Sequence, residues 1–250
     1  MTDLVPWLDR VSFNDFGIMG GEPLINPDIR NWITGTRELM PDTKIRFPTN
    51  GLLLEKNFDV VDLLHEIGNS ILKITVHVDD LALESLINRI FDCYNWQPVV
   101  EFGIHRWRTT NNFVFQINRP DNFFMTFQGT YETAKPYDSD PVEAFEVCHQ
   151  KFCPLLHNQR IYKCSTSGLM HGILEKYNRP NHELWLPYID DQLNGSIGLD
   201  SSNEEILRFI ENIGKPHSTC RQCPTEQTRI TIGHKKNVTF RKKHTISPRI

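Results

Sequence analysis

The sequence predicts an α/β fold, a largely parallel sheet flanked by helices over the first half, followed by a smaller cysteine-rich region. Three observations carry this expectation. Short apolar, β-branched runs alternate with helical patterns as far as about residue 117, the order that parallel β/α units require. From about Pro136 that alternation gives way to turn-rich segments, and five of the six cysteines fall in the last 103 residues. Periodicity alone leaves an open doubly wound sheet and a partial barrel indistinguishable. In both, ligands sit at the C-terminal ends of the strands.

Each element has its own local signal. Val11 to Met19 has strand-like apolar content and stops at Gly20-Gly21. Asn26-Pro27-Asp28 supplies a cap, a proline at the first helical position and an early acid. Ile29, Trp32, Ile33 and Met40 share one helical face, so 27–40 reads as an amphipathic helix. Lys44 to Pro48 is a short strand closed by Thr49-Asn50-Gly51. Asn57 is placed to cap a helix whose Val60, Val61, Leu64 and Ile67 form a stripe, with Gly68-Asn69 as its stop. Ile71 to Val78 is a β-branched run, and Leu81 to Asn95 is again helical. Val99 to Trp107 and Asn112 to Ile117 read as further strands, with one more at Phe123 to Phe127.

Hydrophobic residues make up 39% of the 250 and charged residues 23%, which fits a folded domain and excludes a disordered chain. No apolar run approaches the roughly 20 residues of a membrane-spanning helix. Met1 to Arg10 lacks the basic and apolar regions of a secretory signal. Six cysteines without an export signal point to a reducing, cytoplasmic setting. The net charge of -4 hides an asymmetry: Gln227 to Ile250 carries seven Lys and Arg and no acid, leaving 20 basic against 31 acidic side chains elsewhere. A basic tail on an acidic body leaves nucleic acid open as a partner, beside self-docking. No membrane partner is expected.

The cysteines have ligand-like spacing. Cys220-Arg221-Gln222-Cys223 is a CxxC, whose thiolates can share one metal. Cys153 and Cys164 bracket PLLHNQRIYK, a hairpin pattern with its tip near Asn158, which would return the two thiols to one place. Cys148 is a fifth candidate, and Cys93 reads as a buried apolar residue. Four thiolates suit zinc or an iron-sulfur cluster equally. Upstream, Gly20-Gly21-Glu22-Pro23 joins a strand to a capped helix. Paired glycines admit close approach of a ligand, and Glu22 can accept hydrogen bonds from an ammonium group. With Thr49-Asn50-Gly51 and the His77 region this loop would lie on one rim of the sheet.

Taken together, FGIMGGEPLINPDI at 16–29, FPTNGLLL at 47–54, ILKITVHVDD at 71–80, KFCPLLHNQRIYKC and CRQC resemble the radical S-adenosylmethionine superfamily with a SPASM/twitch-like auxiliary-cluster extension. The likeness spans most of 11–225. It implies an incomplete (β/α)6 partial TIM barrel over 1–138, a cysteine-rich auxiliary domain over 139–226 and a basic tail over 227–250. It also implies S-adenosyl-L-methionine and a [4Fe-4S] cluster as cofactors, and hydrogen abstraction from a small-molecule or peptide substrate. Gly20, Gly21 and Glu22 would then hold the methionine amino group, Thr49 and Asn50 would line the cavity, and Thr75 and His77 would face the ribose or carboxylate. Cys153, Cys164, Cys220 and Cys223 would ligate the auxiliary cluster, with Cys148 beside them and zinc as the alternative metal.

Two departures from the pattern stand out. Gln159 occupies the hairpin position where a glycine usually turns the chain. The Cys-x3-Cys-x2-Cys loop of the superfamily has no counterpart, and Met1 to Leu8 reads as the end of a missing first unit's helix. The chain is therefore expected to be incomplete for cofactor cleavage: a fragment, a late start, a degraded gene product or a subunit completed by a second chain. The competing reading is a non-catalytic zinc or iron-sulfur protein that docks a partner. A third is a metal-independent enzyme using Glu22, His77 or Asp79.

Overall fold

The protein is described by a computed structural model covering residues 1–231, of which 78, 79, 102, 121, 124, 130–132, 177–181 and 227–229 lie outside the described residues, as do 232–250. The basic tail thus falls almost wholly outside them, as does Asp79. The chain divides into two compact units, one holding residues 15–37 and 42–121, the other 1–14, 38–41 and 122–230.

The first unit is built on a six-stranded sheet. Its strands are β1 (Asp15–Gly17), β2 (Lys44–Thr49), β3 (Ser70–Thr75), β4 (Gln97–Glu101), β5 (Ile104–Arg108) and β6 (Phe113–Asn118), in the spatial order β1-β2-β3-β6-β5-β4. β1, β2, β3 and β6 run parallel, while β5 pairs antiparallel with both β6 and β4. Helices α1 (Ile29–Leu39), α2 (Asp59–Ile67) and α3 (Leu81–Cys93) connect the parallel strands. Ile45, Phe47, Leu72, Ile74, Phe113 and Phe115 project from alternate strand positions into one core with Ile33, Val60, Val61, Leu64 and Ile87. The opposite positions carry Arg46, Lys73, Thr75, Gln116 and Arg106.

The α/β expectation therefore holds, with local corrections. The expected strand over Val99 to Trp107 is two strands, folded back at Gly103 with φ 75°, a left-handed conformation that glycine adopts without a Cβ clash. The first strand is three residues long, although Ile18 N still donates to Arg46 O at 2.9 Å. Asn57 does not cap α2. It closes a 3-10 turn, Glu55–Asn57, that runs straight into the helix, and its Nδ2 donates back to Leu53 O. Of the strand expected at 123–127, the described residues show Asn122–Phe123.

The second unit contains a short helix α4 (Pro141–Glu146), the hairpin Leu155–His157/Arg160–Tyr162, and helices α5 (Ser165–Lys176), α6 (Leu186–Asn194) and α7 (Asn203–Asn212). Residues 122–138, expected with the sheet, group here, and so does the N-terminal segment. Val5–Trp7 forms a 3-10 turn whose wholly buried Trp7 packs with Ile161, Ile197 and Ile206. The Trp7 indole donates to Gln159 O at 3.1 Å, and Arg10 donates to Leu199 O and Ser201 O, both at 2.6 Å. Asn158 and Gln159 form the hairpin tip with φ 48° and 60°, the pair of left-handed residues that a two-residue turn of this kind needs. Asparagine suits that geometry; glutamine is strained in it.

Trp7→Ala should cost about 3–5 kcal/mol in urea denaturation, and Trp7→Phe about 1 kcal/mol for the lost bond to Gln159 O. Gln159→Gly should raise stability by about 1 kcal/mol as the left-handed strain is released. Equal stability of all three variants with the parent would refute the strap-and-tip arrangement.

Candidate functional site

The rim of the sheet is organised by one carboxylate. Glu22 follows β1 and caps the short Pro23–Ile25 turn, its Oε1 accepting from Leu24 N at 3.2 Å. The same Oε1 accepts from the Thr49 hydroxyl at 2.7 Å, and Oε2 accepts from Asn50 N at 2.8 Å. An ionised carboxylate offers about four acceptor sites, so three are already taken by the chain and one remains. Thr49 Oγ1 in turn accepts from Gly51 N at 3.0 Å, and Asn50 Oδ1 accepts from Leu52 N at 2.9 Å. The diglycine loop and the Thr-Asn-Gly loop are thus tied together at the C-terminal ends of neighbouring parallel strands, as the sequence leads one to expect.

Gly20 and Gly21 are exposed, neither has a positive φ, and a Cβ on either would meet no atom within 4 Å. Nothing in the fold requires glycine there; the two missing side chains leave open space above Glu22. Gly51 is different, since its φ is 79° and a Cβ would lie 2.7 Å from Leu83 Cδ1. Thr75 and His77 are half-buried and lie on the sheet face opposite the apolar core. Burial lowers the His77 pKa, so the ring is neutral at pH 7. A cavity of about 390 Å³ lined by Gly51, Leu52, Asp80, Leu83 and Leu86 lies against α3, and none of Glu22, Thr75 or His77 reaches it.

The second candidate site gathers thiols. Cys164 follows the hairpin, and its Sγ lies 3.2 Å from the Ser167 hydroxyl. Cys148 follows α4 and accepts from Gln150 N at 3.2 Å. Cys220 and Cys223 are carried by the 3-10 turn Ser218–Gln222, and the two residues between them fix its orientation. Arg221 Nε donates to Asp191 Oδ2 at 3.0 Å, and Gln192 Nε2 donates to the buried Gln222 at 2.8 Å. Burial raises the pKa of Cys148, Cys220 and Cys223, and Cys164 adds to each rise by its own charge. Cys148 likewise raises Cys220 and Cys223. These four thiols lie within electrostatic reach of one another.

Cys153 stands apart from them. It is exposed, beside an exposed Phe152, on a turn in which Cys153 N donates to Gln150 O. The hairpin expected between Cys153 and Cys164 forms, with Cys153 exposed before it and Cys164 half-buried after it. Cys93 is exposed rather than buried. Among the described residues no three Cys, His, Asp or Glu side chains are already in metal-ligating geometry.

Lys163 completes this site. It is buried, and its ammonium donates to the carbonyls of Asn212 at 3.2 Å, Ile213, and Lys215 at 2.7 Å, closing the C-terminal end of α7. Burial lowers its pKa, opposed by Cys220, Cys164 and Cys148. A positive charge therefore faces the thiols. His217, whose Nδ1 accepts from Thr219 N at 3.2 Å, has its pKa lowered by burial and then by Lys163.

The chain matches no protein-family model and no curated protein. Among the described residues no helix is long and apolar enough to cross a membrane.

Two outcomes test this description. Glu22→Gln places an amide against Thr49 Oγ1 or Asn50 N and should cost about 1–3 kcal/mol, with faster hydrogen exchange at Asn50 N; unchanged exchange would refute the tether. His77 and His217 should titrate by nuclear magnetic resonance below the ordinary value of about 6.5. Because their folded pKa lies below the unfolded one, stability is full above pH 6.5 or so and falls as pH drops through it.

Proposed function

We propose that the chain is a radical S-adenosylmethionine protein whose strand-end rim binds S-adenosyl-L-methionine and whose Cys148, Cys164, Cys220 and Cys223 hold an auxiliary [4Fe-4S] cluster. The observation that carries the reading is the Glu22 bridge to Thr49 and Asn50, which joins the two motifs of the resemblance into one rim. Under this reading the mixed sheet is part of an incomplete (β/α)6 barrel, with the Thr75 and His77 face turned to its cavity. The open space at Gly20 and Gly21 admits the amino acid part of the cofactor. The acceptor capacity left on Glu22 supports an ammonium group there.

The donor set fits the cluster in number and chemistry: four thiols, one electrostatic neighbourhood, and a lysine whose charge favours the ionised forms of Cys148 and Cys220. All six cysteines are unpaired, in keeping with a reducing, cytoplasmic location. The bound cluster would supply electron transfer or substrate ligation. The chain's own contribution is to desolvate the thiols, hold the CxxC through Asp191 and Gln192, and keep His77 neutral. A second reading, a zinc-binding docking protein, is favoured by one fact: these 250 residues contain no Cys-x3-Cys-x2-Cys spacing for a radical-generating cluster.

Anaerobic reconstitution with iron and sulfide, followed by iron counting and electron paramagnetic resonance, separates the readings. One cluster is expected, lost in Cys148→Ala and Cys220→Ala and retained in Cys153→Ala. Zinc as purified with no cluster uptake would favour the docking protein. Gly21→Ala should leave stability within about 0.5 kcal/mol, as for surface changes generally, yet weaken S-adenosyl-L-methionine binding at least tenfold in calorimetry. Equal binding by the variant would overturn the rim assignment.

A further inference from the structure

The sheet face opposite the apolar core carries a charge imbalance that the fold does not itself resolve. Arg106 and Arg108 on β5 share a single carboxylate, Glu101 on β4. Arg106 Nη1 donates to Glu101 Oε2 at 2.6 Å, and Arg108 Nη2 donates to Oε1. Arg106 Nε also donates to Gln116 Oε1 on β6 at 3.0 Å. The Arg106 side chain is 9% exposed, so this guanidinium is nine-tenths withdrawn from water. The register places Lys73 of β3 directly beside Gln116, adding a third cation to the row.

Two guanidiniums against one carboxylate leave one positive charge over, in a place where an uncompensated charge is costly. One donor makes the same point. Arg108 Nε is buried without a hydrogen-bond partner, and a buried donor left unused in this way marks a place where an acceptor is missing. Among the described residues, the other charges that act on Arg106 do not supply one. Arg46 on β2 adds to the positive field at Arg106, and Asp15 on β1, which opposes it, is already paired with Arg46.

We propose that Arg106, Arg108 and Gln116, with Lys73 beside them, form an oxyanion site that takes the carboxylate or phosphate of a small acidic ligand. The planar fork of a guanidinium matches such a group with two parallel hydrogen bonds. Glu101 holds both arginines in place and competes with the ligand for them. As a binding site this stands on the geometry alone; as a statement that the substrate is an acid, it rests on the reading of this face as the reaction cavity.

The test is calorimetric titration of the full chain with inorganic phosphate, at fixed ionic strength set by chloride, without iron or S-adenosyl-L-methionine. Saturable binding is expected in the parent chain, weakened at least tenfold by Arg108→Gln. Glu101→Gln should tighten it several-fold, because both guanidiniums are released to the ligand. That gain is an effect that loss of folding cannot imitate. Arg208→Gln, an exposed pair on α7, should leave it unchanged. Phosphate heats no larger than those of chloride, or equal binding by all variants, would overturn the site.

The source of the oxyanion is read in a second arm. If it is the cofactor's own carboxylate, Arg108→Gln weakens S-adenosyl-L-methionine but not 5'-methylthioadenosine. If it belongs to a separate substrate, phosphate binds the loaded chain undiminished. Either result supports the site. Phosphate binding with no binding of S-adenosyl-L-methionine supports it too, and overturns the cofactor reading instead.

Discussion

The bond network of the Glu22 carboxylate is the constraint on which the rim of the sheet depends. Strand β1 is three residues long and lies at the sheet edge, where few ladder bonds hold it. The loop that follows would have little to fix it without a partner. Glu22 supplies one by accepting from Leu24, Thr49 and Asn50 at once. Bonds to an ionised acceptor are about twice as strong as neutral ones, so this side chain acts as a cross-link between two loops that sequence separates by more than twenty residues. The co-occurrence of the diglycine-glutamate and Thr-Asn-Gly segments then has a mechanical cause.

In the other unit the organising tension is between burial and ionisation. Desolvation holds Cys148, Cys220 and Cys223 in the neutral form, and each thiolate that forms makes the next harder. Lys163 works against this, and its position is secured by the carbonyls that end α7. The same unit explains why the N-terminal segment belongs with the hairpin. Trp7 and Arg10 satisfy carbonyls at the strained tip and in the loop before α7, positions that water would otherwise have to serve.

The sheet has two characters. Its parallel strands present loop ends, as β/α units do, while the antiparallel hairpin β4–β5 extends it with paired charges. Arg106, Arg108 and Glu101 come from that hairpin alone, and only Gln116 joins them from the parallel part. The hairpin therefore gives this sheet a chemistry that the β/α repeat by itself does not carry.

The sequence by itself determined the elements whose cause is local. The period of Val60, Val61 and Leu64, the Asn158 turn and the alternation of the first strands with helices follow from side-chain spacing and turn chemistry within each short segment. It also placed Glu22, Thr49 and Asn50 on one rim, because strand ends in such sheets coincide. Only the tertiary structure decided the rest. It split Val99 to Trp107 at Gly103, since a single glycine in an apolar run does not announce a reversal. It moved the N-terminal segment to the cysteine-rich unit, because a lone Trp-Leu pair carries no address for its partner. It left Cys153 exposed and Cys148 half-buried, since which thiol turns inward depends on how the chain packs around it. Spacing limits which groups can meet, but desolvation and packing across distant segments select the ones that do.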